Sequence, residues 1–559
     1  MPFDLNDRRA LTALVAISVM LFIVDLGGRD LWDIDEGMHA AIAQTMLLSG
    51  EWVTPMFNGE AFLDKPPLFN WLTAIAFELF GSNEFAARLP AALSALASVL
   101  LCYGIGRELY SRRTGLLAGV ILATSLEFAA MARTVQYDVP FALFTTLAIF
   151  AYILAMREQR PAHGYWVLFY VAIGLAVLTK GPLGVVLVGI GVAAHLVATR
   201  SARAWLRALN PAGILAFFVV AVPWYVLMEL ANPGYIDYFV IQQHVGNVLG
   251  VIGEYVARHP GPVYYYIPVF IGAMLPWSLT LPQSVYSALK YREARVAHAD
   301  IFLVAFFTGS LLVMSAATSK LATYLLPLLP VAAVLIGRYW DRLFDARPGT
   351  RNLSHVIAFG CLFLILVVFT AYTIINQPFA HWDARTGVAH EDFEWFLLGF
   401  SALWLAASVF ALLAKQRSSF VTLSLITPFM IGFILWVLCP RADDYRGSKV
   451  IATMIDERLP AEEPIHVYGR LLDSAMFYTK RDAVRLETEE ALRNYMATEE
   501  RVFVVVRSRS GVWDDTPRDA YYILATVANK AIISNQADRP ETAGSGDEPQ
   551  DGARFPVNQ

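Results

Sequence analysis

Three carboxylates crowd into the run Trp32-Asp33-Ile34-Asp35-Glu36, and a lysine followed by two prolines stands in Asp64-Lys65-Pro66-Pro67. Charged groups beside long apolar segments are costly, and where they occur they mark the handling of a charged substrate. A carboxylate can serve there as a general base. A lysine held at fixed depth by prolines can grip a phosphate as a point charge, although it can also simply snorkel to headgroups. Together the two motifs point to an enzyme acting on a substrate held at a bilayer surface. Asp33 reads as a helix cap, but capping accounts for only one of the neighbouring acids Asp35 and Glu36.

Further candidates are scattered more widely. Asp138 closes the polar stretch 133–138 just before Val139-Pro140, where it is either a helix cap or a second catalytic acid. His244 follows Gln242-Gln243 and gains meaning only if the fold brings it to Asp64. Asp64 and His244 would then make a partial site for a divalent metal such as zinc, one ligand short of the usual catalytic three. Lys180, Lys320 and Tyr324 lie at helix ends, where snorkelling is the default reading.

The elements that must position these residues are membrane helices. The chain has 559 residues, 57% of them hydrophobic and 16% charged, with a mean hydropathy of +0.49; soluble chains carry about 25% charged residues. The net charge of −5 gives no reason to expect a nucleic-acid partner. Cys102, Cys361 and Cys439 show neither metal-ligand nor disulfide spacing. Apolar stretches long enough to span a bilayer fall near 10–27, 88–106, 114–132, 139–156, 164–180, 182–199, 212–230, 263–284, 299–318, 321–338, 355–376, 394–414 and 419–438. This reading gives thirteen spans, the first of them retained as an anchor and not a cleaved leader.

Alternate loops carry the basic residues: Arg107, Arg112 and Arg113, then Arg157 and Arg160, then Arg200, Arg203 and Arg207, and so on to Lys415 and Arg417. By the positive-inside rule the N-terminus is cytoplasmic. Asp35, Glu36, Asp64, Lys65, Asp138, His244 and Lys320 then share the far side, with the outer loops 28–87 and 231–262. Within the first loop, 39–48 reads as a helix lying in the membrane interface. The expected organisation is a polytopic α-helical membrane domain over 1–439, a small extracytoplasmic α/β domain over 440–535, and a disordered tail over 536–559. In the α/β part, 465–468 and 502–506 read as strands and 446–458, 471–479 and 487–497 as helices.

The ordered motifs WDIDE, GEWVTPMFNGEAFLDKPPLFNW, QYDVP, LTKGP, YYYIPVFIGAMLPW and SKLATYLLPLLP resemble the membrane glycosyltransferases of the GT-C superfamily. The similarity runs from about residue 11 to 440. It lies with the branch holding bacterial aminoarabinose lipid A transferases and relatives of the protein O-mannosyltransferase type. The resemblance implies transfer of a sugar from undecaprenyl phosphate, or another polyprenyl phosphate, to an acceptor outside the bacterial inner membrane. It implies that Asp35 is the essential first-loop acid, with Glu36 beside it, and Asp138 the second acid. Lys65 and Tyr324, with Lys320 close by in sequence, would contact the donor phosphate, and Asp64 with His244 would hold any metal ion.

Two departures from the family pattern bear on the substrate. Met38 stands where the lipid A branch has an arginine three residues after the acid, and the stretch after His244 is the neutral Val245-Gly246-Asn247-Val248. Lipid A is the expected acceptor, with a protein, hopanoid or other glycan as alternatives. A lipid-linked sugar transporter would carry its charges mid-span within repeats, and no repeat is visible. A single chain is expected to suffice for activity.

Overall fold

The computed structural model describes residues 5–156, 163–200, 202–246, 248, 250–252, 255–256, 259–290, 297–347, 352–376, 390–460, 462–507 and 521–537. The chain divides into two compact units, 1–449 with 472–480, and 450–471 with 481–559. The expected tail lies, from residue 538 onward, outside the described residues.

The first unit is helical. Among the described residues nine helices are long and apolar enough to cross a membrane, or ten if one sharply bent pair forms a single span. The nine coincide with expected spans, from Glu84–Leu109 through Gln416–Asp443. The four other expected spans take different forms. The first is α1 (Leu5–Ser18) continued by a π-helical turn, Val19–Ile23. The stretch 114–132 splits into α5 (Arg112–Ala123) and the short α6 (Leu126–Met131). The stretch 182–199 is α9 (Leu183–Thr199), a shorter apolar helix. The stretch 263–284 is broken into Val263–Ala273 and Trp277–Lys290, which meet at 109°. Pro276 stands at that bend and cannot donate the hydrogen bond that would continue a helix. The count of thirteen straight spans is therefore not confirmed.

Outer helices such as Leu353–Asn376 expose Leu364, Ile365, Val368 and Ile375, an apolar belt suited to lipid. By contrast α7 (Asp138–Ala155) is enclosed, with Phe141, Ala148 and Ile149 fully buried. Beside it run α4 (Glu84–Leu109) and α8 (His163–Lys180). Local signals set the helix starts: Asn83 accepts from the Ala86 amide at 2.9 Å to begin α4, and Ser111 accepts from Thr114 at 3.0 Å to begin α5.

The first loop holds α2 (Asp35–Ser49), a small ribbon of β1 (Met56–Phe57) with β2 (Glu60–Ala61), and α3 (Leu68–Phe80). The helix expected over 39–48 is present as part of α2, and one of its faces is buried in protein. Ala40, Ala41 and Ala43 of α2 form a core with Phe69, Phe77 and Phe477. The last of these sits on the helix Asp473–Thr479, which belongs to the first unit. That helix approaches α2 so closely that a side chain at Gly37 would come within 2.4 Å of the Ser474 amide nitrogen. Asp33 was expected to cap α2, but it reaches across the gap instead. Its Oδ1 accepts from the Ser474 amide at 2.8 Å and the Ser474 hydroxyl at 2.6 Å.

The second loop contains a π-helical segment, Asp237–Gly246, followed by the ribbon of β3 (Val251–Ile252) with β4 (Tyr255–Val256).

The second unit carries one five-stranded sheet. β5 (Ile465–Tyr468) runs parallel to β6 (Ala483–Leu486) and to β7 (Phe503–Arg507). β9 (Lys530–Ser534) pairs antiparallel with β7 and with β8 (Tyr522–Val527), for the order β6-β5-β7-β9-β8. Val504, Val506, Ala531 and Ile533 build its core with Leu486 and Leu492.

Candidate active site

The antiparallel packing of α7 against α8 sets the first residue of one beside the last residue of the other. Asp138 and Lys180 consequently form a buried ion pair between Lys180 Nζ and Asp138 Oδ1, with side chains 1% and 7% exposed. The Lys180 ammonium also lies 4.0 Å from the centroid of the Tyr324 ring and 5.5 Å from that of Tyr137. Aromatic faces compensate a buried cation in this way. The sequence left Lys180 as a snorkelling residue; its break, Lys180-Gly181-Pro182, was the available signal for a different role.

Lys65 approaches from the first loop. Its ammonium is also 5.5 Å from the Tyr137 ring centroid and donates to the Asp64 carbonyl at 3.2 Å. Two lysines, from loop and helix, thus share one aromatic ring. Burial, with Asp138, Tyr324, Asp35 and Asp64 nearby, keeps the Tyr137 phenol well above its ordinary pKa and hence protonated. Asp35, at the start of α2, faces the same region and accepts from Gln136 Nε2 at 3.3 Å. Partial loss of solvent and then the charge of Asp138 raise its pKa, while Gln136 and His259 pull the other way. Asp35, Lys65, Asp138 and Tyr324 therefore converge, joined by Lys180, Tyr137 and Gln136.

Glu36 does not join them, which corrects its reading as a catalytic partner of Asp35. Arg29 donates to its two oxygens at 2.7 and 3.0 Å, and Arg88 adds bonds of 2.9 and 3.1 Å. The amides of Trp32 and Val135 complete the set at 3.3 and 3.2 Å. Burial alone would raise the Glu36 pKa, but the two arginines bring it down to about 2. Arg88 also donates to the carbonyls of Leu26, Arg29 and Asp30. With its acceptor capacity used, Glu36 clamps the first loop to α4 and fixes the direction in which its neighbour Asp35 points.

Asp64 and His244 both engage the π-helical segment. Asp64 Oδ1 accepts from the Tyr238 hydroxyl at 2.6 Å and from Gln243 Nε2 at 3.0 Å, which ties the two outer loops together. His244 Nδ1 lies 2.7 Å from the Phe239 carbonyl, so the proton sits there, and Nε2 is 3.4 Å from the Lys180 carbonyl. Gly181, at φ +78°, makes room: a side chain there would come within 2.6 Å of Nε2. Burial lowers the His244 pKa and keeps the ring neutral.

One imidazole nitrogen and one carboxylate already used by a hydroxyl and an amide fall short of a catalytic metal's donor set. Among the described residues no group of three or more His, Cys, Asp or Glu is arranged to hold an ion. Lys320 is buried too, its ammonium bound to the Ala317 carbonyl and its amide to the His259 carbonyl at 2.8 Å. The backbone amide ties Lys320 to the second loop, while its ammonium turns back onto the carbonyl three residues before it.

The first unit is thus a bundle of apolar helices with acids, lysines and tyrosines gathered where its loops meet its helix ends. A family model described as dolichyl-phosphate-mannose-protein mannosyltransferase matches residues 64–226. The crystal structure of ArnT from Cupriavidus metallidurans bound to undecaprenyl phosphate shares the fold, with a TM-score of 0.75 at 21% identity over 94% of this chain and 98% of that one.

Among relatives, the undecaprenyl phosphate-alpha-4-amino-4-deoxy-L-arabinose arabinosyl transferase 1 of Sodalis glossinidius is 30% identical over 424 residues, 71% of this chain and 74% of that protein. The corresponding transferase of Edwardsiella ictaluri is 29% identical over 65% of this chain, which spans 66% of its length, just under two thirds. The chain belongs to the undecaprenyl phosphate-4-amino-4-deoxy-L-arabinose arabinosyl transferase family, a branch of the GT-C glycosyltransferases.

Proposed function

We propose that this chain moves 4-amino-4-deoxy-L-arabinose from undecaprenyl phosphate to lipid A, on the periplasmic face of a bacterial inner membrane, and that it does so as a monomer. The observation that carries the reading is the meeting of Asp35, Lys65 and the Asp138–Lys180 pair around Tyr137. The basic residues of alternate loops support the orientation.

In the proposed reaction the bond between the anomeric carbon and the carrier phosphate breaks as an acceptor oxygen bonds to the opposite face. The electron pair leaves with undecaprenyl phosphate, and the sugar inverts. Lys65 receives the negative charge that grows on the leaving phosphate, a stabilisation on the order of 3–4 kcal/mol for a well-placed donor. Tyr137, protonated and buried between the lysines, holds their separation. Asp35 takes the proton of a hydroxyl acceptor, or orients an acceptor that is already an anionic phosphate. Asp138 has Oδ1 engaged by Lys180 and offers Oδ2 to the sugar hydroxyls. No step needs a metal. Any divalent ion drawn to Asp64 and His244 would brace the two outer loops where they already meet.

The test uses the purified full-length chain with undecaprenyl phosphate-linked aminoarabinose and lipid A, read by mass spectrometry. Lipid A gaining the mass of one aminopentose, and not gaining it with Asp35→Asn, is the expected result. Release of undecaprenyl phosphate only when another glycolipid or a protein is supplied would move the acceptor, in keeping with Met38 at the position of the lipid A branch's arginine.

A further inference from the structure

The carboxylates around the site differ in what balances them. Glu36 has two arginines and Asp138 has Lys180. Asp35 opens to solvent, with Gln136 at hand. Glu127 has none of these. It lies on α6, whose first amide is anchored to the Leu275 carbonyl at 3.1 Å, and it stands within electrostatic reach of Asp138. Its Oε2 is closed off from solvent and makes no hydrogen bond. A carboxylate oxygen shut off from solvent, with no cation paired to it among the described residues, is costly in a membrane protein, and such groups mark where a ligand supplies a partner.

A second orphan lies on an element packed against α6. Tyr266 begins the helix Tyr266–Ala273, which packs on α6. It is 1% exposed, and its hydroxyl, though near the Leu321 backbone, has no hydrogen bond of normal geometry. It too lies within electrostatic reach of Asp138, and of Tyr324. Two buried polar atoms, a carboxylate oxygen and a hydroxyl, are therefore left unsatisfied on elements bordering the sugar-binding acid.

We propose that Glu127, helped by the Tyr266 hydroxyl, receives the ammonium group of the donor sugar and thereby selects amino sugars over neutral ones. The inference rests on the proposed function and adds the residue that reads the sugar. Charge counting favours it. Lys65 goes to the carrier phosphate, Lys180 neutralises Asp138 and Asp35 faces the acceptor. Glu127, whose carboxyl pKa is pushed up to about 8 by burial and Asp138, holds its proton before the sugar binds and becomes the countercharge when an ammonium enters and that proton leaves. An ammonium has three donors and can satisfy both orphans at once, whereas a neutral hydroxyl has one and brings no charge.

The experiment compares two donors on the purified full-length chain: undecaprenyl phosphate-4-amino-4-deoxy-L-arabinose and undecaprenyl phosphate-L-arabinose, which carries a neutral hydroxyl in place of the amine. Wild type should prefer the amino donor by about 10²-fold or more in kcat/KM, as expected for a site with buried polar groups left unpaired by the wrong substrate. Glu127→Gln, nearly the same shape without the charge, should cut that preference to below about tenfold by lowering the amino donor alone. Tyr266→Phe should narrow it less.

An equal loss on both donors would make Glu127 structural and overturn the proposal, as would an unchanged preference. If Glu127→Gln does not fold, as judged by its melting curve, the Tyr266→Phe ratio decides, and no change there overturns the proposal. Wild type transferring neither donor would instead defeat the proposed function, and so the two failures stay distinct.

Discussion

The cluster around Glu36 and the cluster around Asp35 and Asp138 start from adjacent residues of α2 and are built on opposite principles. Glu36 is ringed by two guanidinium groups and two amides, all donating inward, so nothing remains for a ligand. On the other side Asp35 has one side-chain amide at 3.3 Å, and Glu127 has an oxygen with no hydrogen bond among the described residues, while the Lys65 ammonium lies over the Tyr137 ring. A buried ion cluster that is fully satisfied holds the fold together. One that is underfilled stays intact only because the first cluster keeps its members in place, and it has capacity left for substrate.

The sharpest way to break this contrast is to exchange the expected consequences of its two acids. Asp35→Asn should reduce turnover by about 10²–10⁴-fold, the range for losing a general base, with the melting temperature of the purified chain unchanged. Near-normal turnover would remove Asp35 from the chemistry. Glu36→Gln should do the reverse and lower stability by about 3–5 kcal/mol, because two buried guanidinium groups lose their countercharge. Thermal unfolding in detergent measures this, and the folded fraction should still turn over.

The sign of the pH dependence follows from the Glu36 pKa, held near 2 against an ordinary 4.5. Its contribution is complete above about pH 4.5 and lost as the pH falls through about 2, so the wild-type and Glu36→Gln melting curves should converge only at that acid end.

Lys65→Ala comes next, with an expected loss of about 10²-fold in kcat/KM carried by the donor and not by the acceptor. Steady-state kinetics with each substrate varied would show which. The smallest effect concerns proton uptake by Asp35. Its pKa is raised, and a base works deprotonated, so activity should fall on the acid side at a higher pH than for an ordinary aspartate. Gln136 opposes that rise. Gln136→Leu should therefore move the acid limb upward, since one weak hydrogen bond to the charged form is lost. A pH–rate profile that stays in place would show that Gln136 does not touch the working form of Asp35.

Much of this was legible in the chain, and what was not shares a cause. The apolar runs marked the nine long helices because burial in lipid demands the same composition wherever it occurs. Local patterns also gave the strand Ile465–Tyr468, a strand at 502–506 that the structure sets at Phe503–Arg507, and helices at 471–479 and 487–497. The structure assigns the first of these helices to the helical unit and not to the α/β region. The break at Pro276 was hidden inside a run apolar enough to look continuous. Lys180 looked like a snorkelling residue, and Asp138 stayed open between a cap and a second acid, because each was read against its own helix while its partner lay 42 positions away. Glu36 looked catalytic because Arg88 is 52 positions further on. Glu127, one acid inside an apolar stretch, gave no sign of lacking a partner, since that is a property of its surroundings.

Sequence by itself determined that the chain is a multi-pass helical membrane protein, where nine of its long helices lie, and the order of motifs that places it in its family, all of which rest on local composition and spacing. Only the tertiary structure decided which acid is clamped, which is paired and which is left open. The energy of a charge is set by the distance and burial of its neighbours in space, and in this chain those neighbours come from helices far apart in sequence.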